Sequence, residues 1–126
     1  MRVVYMGTPD FAVKPLEALI TANYEVVGVF TQPDKPVGRK AILTPPPVKV
    51  VAQENNIPVY QPDSLKNGAG TAILEELKPD VVIVVAYGKI LPADFLDYPK
   101  HGCINIHGSI LPEYRGAAPI QRSVIE

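Results

Sequence analysis

The stretch VVIVVAYGKILP, residues 81 to 92, decides the fold. Its first five residues are all β-branched, a composition that suits a pleated strand buried on both faces. The apolar run ends at Ala86, far too soon to cross a bilayer. A strand covered on both faces needs a helix layer on each side, so the rest of the chain must supply them. Working outward, short apolar runs at residues 3–6, 25–31, 59–60 and 103–107 read as further strands, and VVGVF in the second has the same β-branched character. Helical-period segments at 15–22, 47–54, 71–77 and from 119 onward lie between or after them. The alternation predicts an α/β fold with a doubly wound, mostly parallel sheet. Pro15 either opens its helix in the first turn or splits a longer one that starts at Asp10.

The connection TQPDKPVGRKAILTPPP, residues 31 to 47, holds five prolines and the cations Lys35, Arg39 and Lys40. A connection of this length inside a compact domain is usually functional or mobile. The chain has 126 residues, 47% hydrophobic and 20% charged, which is enough for one domain with a real core. Its formal net charge of −1 excludes a global attraction to polyphosphate, so any nucleic-acid contact must come from a local basic patch. One cysteine, Cys103, excludes an internal disulfide and a multi-cysteine metal site, and a reducing, cytoplasmic setting is the expectation. The strand-like start directly after Met1 has no signal-peptide pattern. At the other end, IQRSVIE stops within a helical pattern without a stop signal, which predicts that the chain is the front part of a longer protein.

The first motif is YMGTPDFA, residues 5 to 12, a strand, a glycine turn and a helix. It has one glycine where the dinucleotide fingerprint needs three, and we read it as a plain β–α turn. Asn105 and His107 are more informative. Alternate residues of a strand share a face, so both polar groups point one way with Cα atoms about 6.5 Å apart, while Ile104 and Ile106 point the other way. Gly108 ends the strand, placing the pair at the carboxyl edge, where open parallel sheets bind ligands. The alternative is a histidine satisfied by local hydrogen bonds.

An asparagine amide can donate to a developing oxyanion, and a histidine can move protons near neutral pH. The pair suits acyl-type transfer to a substrate that brings its own amine. Cys103 shares the same face but sits deeper in an apolar strand, where a free cysteine acts as a small hydrophobe. His101 reads as a solvated loop residue, and two histidines six apart with no acidic cluster make a poor metal site. After His107, GSILPEYRGAAP supplies an apolar wall in Ile110 and Leu111, an orienting hydroxyl in Ser109, and small residues for close approach. AYGKILP, residues 86 to 92, is a second wall if its strand neighbours the 103–107 strand.

The run NIHGSILPEYRGAAPIQ, with MGTPDFA, TQPDKPVGRK, PPPVK and VVAYGKILP, resembles the folate-dependent formyltransferases over essentially the whole chain. The resemblance implies a Rossmann-like formyltransferase fold, truncated, with residues 1–126 forming the N-terminal part of the catalytic domain. The rest of that domain and a C-terminal β-barrel domain would be absent. It implies formyl transfer from 10-formyltetrahydrofolate to the amino group of methionine on initiator tRNA, in translation initiation. Asn105 and His107 match two of three catalytic residues. Ser109, Ile110, Leu111 and Pro112 match the folate-binding segment, and Tyr87, Gly88, Ile90 and Leu91 belong to the stretch that lines the pterin pocket. Lys35, Arg39 and Lys40 lie where the family's loop approaches the tRNA acceptor arm.

The family's catalytic aspartate has no counterpart before residue 126, so the chain alone is expected to be inactive and, with an uncovered sheet edge, to self-associate. Ile110 stands where the family usually has Leu, and RKAIL is less basic than the usual loop. The resemblance leaves two alternatives: a formyltransferase acting on a sugar-nucleotide or ribonucleotide amine, and a non-catalytic folate-binding module. No membrane partner and no metal are expected.

Overall fold

The computed structural model describes residues 1–106; the expected helix from 119 onward and every prediction on residues 107–126 lie outside the described residues. Strands β1 (Arg2–Gly7), β2 (Glu25–Phe30), β5 (Val59–Tyr60), β6 (Val81–Val85) and β7 (Cys103–Asn105) form one five-stranded sheet in the order β5-β2-β1-β6-β7. All its pairs are parallel. The chain runs from β1 outward through β2 to β5, then returns to the other side of β1 for β6 and β7. That reversal makes a topological switch point between the carboxyl ends of β1 and β6.

Alternation along the strands builds two cores. Val4, Met6, Phe30, Val82, Val84 and Cys103 meet Leu74, Leu77 and Phe95 from helices α3 (Ala69–Leu77) and α4 (Ala93–Asp97). Tyr5, Val29 and Val85 meet Leu16, Val48 and Ala52 from α1 (Val13–Thr21) and α2 (Pro47–Glu54) on the opposite face. Helices therefore cover both faces, and the sheet is doubly wound as the β-branched runs predict. Each fully buried leucine of these layers contributes about 1.5–3 kcal/mol of transfer free energy. The amino edge is fixed by Arg2, whose backbone N–H donates to Asp80 Oδ2 at 2.7 Å and whose Nη2 donates to the Leu77 carbonyl at 2.7 Å.

A 3-10 turn, Asp10–Ala12, runs into α1, and Pro15 is the third residue of α1, inside its first turn, where its missing N–H is harmless. Two other local readings change. The long connection is not loop throughout: it contains a hairpin, β3 (Lys35–Val37) paired antiparallel with β4 (Ile42–Thr44). Helix α4 was also unread: five residues, ADFLD, are too few to show a helical period.

Candidate functional site

The carboxyl edge of the sheet is where the sequence-predicted residues gather. Asn105 is the last residue of β7, half-buried, and stands in register with Val84 of β6. The ladder continues one step, with the Ile106 N–H donating to the Val84 carbonyl at 2.8 Å. Cys103 shares the α3/α4 face with Val82 and Val84, is fully buried, and so behaves as a small hydrophobe. His107, Ser109, Ile110, Leu111 and Pro112 lie outside the described residues.

Immediately beside Asn105, β6 ends because Ala86 takes a left-handed conformation, φ 54°. For a residue with a Cβ that costs on the order of 1 kcal/mol or more, and such conformations concentrate at functional sites. The turn sends Tyr87 back into the core, 2% exposed, while Gly88 returns to solvent with φ 95°. Burial pushes the Tyr87 phenol up to about 12, and its hydroxyl has no hydrogen-bond partner among the described residues. Leu91 packs partly against the α3/α4 core, and Ile90 stands 75% exposed. The structure thus brings Tyr87, Gly88, Ile90 and Leu91 to the same edge as Asn105. Of these, Tyr87 is an anchor and Ile90 an open apolar surface.

A second set of residues at this edge escaped the sequence reading. Thr8, just past β1, donates its hydroxyl to the Tyr87 carbonyl at 3.0 Å, and Gln32, just past β2, donates its side-chain amide to the same oxygen at 3.0 Å. The Gln32 backbone N–H donates in turn to Thr8 Oγ1 at 3.3 Å. Gln61, just past β5, donates to the Gln32 carbonyl at 3.1 Å and to Asp34 Oδ1 at 2.7 Å. Lys49 of α2 pairs with the same Asp34 oxygen at 3.0 Å. The Gln61 amide first, and Lys49 with it, hold the Asp34 carboxyl below the usual aspartate range. The available signal was positional: a hydrogen-bonding side chain follows each of three strands. Gly7 supports reading the first motif as a plain turn, since a Cβ there would meet the Val85 carbonyl at 2.8 Å and Ala12 Cβ at 2.9 Å. That glycine serves close packing.

The basic cations sit elsewhere on the same end of the molecule. Lys35 begins β3, and Arg39 and Lys40 lie in the turn to β4, all exposed. Val37, Ile42 and Leu43 of that hairpin are 56%, 62% and 65% exposed, so cations and apolar side chains share one projecting element. An apolar groove of ≈ 310 Å³, lined by Pro15, Ala18, Leu19, Tyr24, Ile83 and Ile106, lies on the α1 face, the side Asn105 points away from. Its lining is almost wholly apolar, with the Tyr24 phenol the one polar side chain among these residues. Among the described residues no group of three or more His, Cys, Asp or Glu could hold a metal, and no helix is long and apolar enough to cross a membrane.

A parallel sheet wound on both faces, with a left-handed loop at its switch point and a polar strand terminus one strand further out, places the chain in the doubly wound α/β class, whose members bind ligands at the carboxyl edge. The formyl transferase family matches residues 1–126. The chain belongs to that family. It is 60% identical over 124 residues to the methionyl-tRNA formyltransferase of Hydrogenovibrio crunogenus, covering 98% of this chain and 40% of the relative. It is 58% identical over 125 residues to the enzyme of the same name from Pelotomaculum thermopropionicum, covering 99% of this chain and again 40% of the relative. The chain therefore spans about 40% of the length of these relatives. Among solved structures, a phosphoribosylglycinamide formyltransferase from Anaplasma phagocytophilum shares the fold, with a TM-score of 0.64 and 22% identity over 94% of this chain and 59% of that one.

Proposed function

We propose that this chain carries the N-terminal part of the formyl-transfer site of a methionyl-tRNA formyltransferase. The reaction moves a formyl group from 10-formyltetrahydrofolate to the amino group of methionine on initiator tRNA, in the cytoplasm where translation begins. The observation that carries the reading is the pairing of β6 with β7, which sets Asn105 beside the 86–92 loop at the sheet's carboxyl edge. Identity of 52–60% to methionyl-tRNA formyltransferases along the whole chain supports the same acceptor.

In this reading the 86–92 loop, with Ser109, Ile110, Leu111 and Pro112, forms the pterin wall. The methionine amine attacks the formyl carbon, and the former carbonyl oxygen becomes an oxyanion that accepts a hydrogen bond from the Asn105 amide. His107 moves the proton released by the amine, N10 of the folate receives a proton, and the bond from N10 to the formyl carbon breaks. The third catalytic residue that the family resemblance implies, a carboxylate partner for His107, has no match within residues 1–126, and in this reading those residues by themselves turn over little or no substrate. The hairpin with Lys35, Arg39 and Lys40 meets the tRNA: its cations answer phosphates and its exposed Val37, Ile42 and Leu43 answer base or sugar surface.

The test joins this chain to the remaining length of the Hydrogenovibrio relative and assays formylation of charged initiator tRNA. Transfer to tRNA with loss in Asn105→Ala and His107→Ala supports the proposal. Transfer to a sugar-nucleotide or ribonucleotide amine but not to tRNA would replace the acceptor. Folate binding with unchanged turnover in both variants would refute the assigned roles.

A further inference from the structure

We propose that Thr8 and Gln32 are positioning residues that clamp the Tyr87 carbonyl and thereby preset the 86–92 loop for the folate. The inference deepens the proposed function and rests on its assignment of that loop as the pterin wall. Thr8 lies 79 residues from Tyr87 in sequence and Gln32 lies 55, yet both donate to one carbonyl oxygen, each at 3.0 Å. Two donors occupy both lone pairs of that oxygen, so the peptide plane between Tyr87 and Gly88 has a single orientation. The plane carries the Gly88 N–H, so the clamp aims the first backbone group after the buried anchor.

The clamp also spans the switch point. Thr8 extends β1 and Gln32 extends β2, while the carbonyl they hold extends β6, so the loop is tied across the crevice between the two halves of the sheet. The fit is tight: a Cβ at Gly88 would meet Gln32 Nε2 at 2.6 Å. Gln32 is itself seated, because Gln61 donates to its carbonyl and Thr8 accepts from its N–H. A loop that begins in a left-handed Ala86 and passes through a positive-φ Gly88 has few local preferences holding it. Fixing it before binding removes an ordering cost that would otherwise weaken affinity.

The experiment uses the full chain with 5-formyltetrahydrofolate as probe, read by calorimetry, alongside backbone ¹⁵N order parameters for residues 88–91 and the thermal midpoint. Thr8→Val keeps the shape and removes the hydroxyl; Gln32→Glu keeps the shape and removes both amide donors; Thr8→Ser restores a hydroxyl. Thr8→Val and Gln32→Glu are each expected to weaken binding about five- to tenfold and to lower the order parameters, while Thr8→Ser stays near the parent. If Thr8→Val loses its fold, Gln32→Glu decides alone. Affinity and order parameters equal to the parent in a folded variant overturn the proposal. If the parent chain binds no folate, the pterin-wall reading fails, and the clamp is then judged on loop order alone: ordered loops in both variants overturn it.

Discussion

Two loops leave the same edge of the sheet and are built in opposite ways. The 86–92 loop is anchored by a buried aromatic ring and by two side-chain donors on one carbonyl. The 31–46 connection carries a small exposed hairpin supported by its three cross-strand residue pairs and, at its base, by the contacts of Gln61 and Lys49 with Asp34. The first is suited to presenting backbone groups at fixed positions to a small, rigid ligand. The second places charge and apolar surface on a projecting element that can adapt to a large, polyanionic partner.

The difference can be broken at either loop or at the strand end beside them. The largest effect is expected at Asn105: in the joined enzyme, Asn105→Ala should lower the turnover of formyl transfer about 100-fold or more, with folate affinity changed little, by single-turnover kinetics. Gly88→Ala should follow, because the added methyl lies 2.6 Å from Gln32 Nε2 and the residue's φ is 95°. Calorimetric affinity for 5-formyltetrahydrofolate should fall by about tenfold, and an unchanged value would mean that the loop is not held as tightly as its contacts imply.

Replacing Lys35, Arg39 and Lys40 together by alanine should act on the other partner. The Michaelis constant for charged tRNA should rise several-fold and the salt dependence of tRNA binding should flatten, with folate affinity unmoved. A parallel loss of folate affinity would show that the two loops are not independent. The self-association expected of this chain would appear as a concentration-dependent sedimentation coefficient, with β7, at one end of the described sheet, as the pairing strand. Lysine substitution of exposed Ile106 should weaken it.

The smallest effect concerns Asp34, whose carboxyl is held below the ordinary aspartate value of about 4 by Gln61 and Lys49. A lowered folded-state pKa means that the stabilisation is fully present above about pH 4 and is lost as pH falls toward the folded value. Asp34→Asn should therefore lower the thermal midpoint slightly at pH 7 and leave it less sensitive to acid below about pH 4 than that of the parent.

The sheet was legible because buried parallel strands leave β-branched runs such as VVGVF and VVIVV, whereas the strand order and the register Val84↔Asn105 come from the structure. Strands β3 and β4 were hidden by their length and by Pro36, which sits in a paired position opposite Leu43. Asn105 could be read from period-two alternation. Thr8, Gln32 and Gln61 show in the sequence only as polar residues just past strand ends; their partners do not show, since most are backbone carbonyls brought close by the strand order.

The claim that the carboxyl edge beside β6 and β7 holds the folate is tested most directly by mapping amide chemical shifts of the chain during titration with 5-formyltetrahydrofolate. The account predicts shifts concentrated at residues 87–91 and at Asn105, with the hairpin at residues 35–44 and the groove residues Leu19 and Tyr24 unmoved. Shifts concentrated at the groove or the hairpin, with residues 87–91 and Asn105 silent, would contradict it.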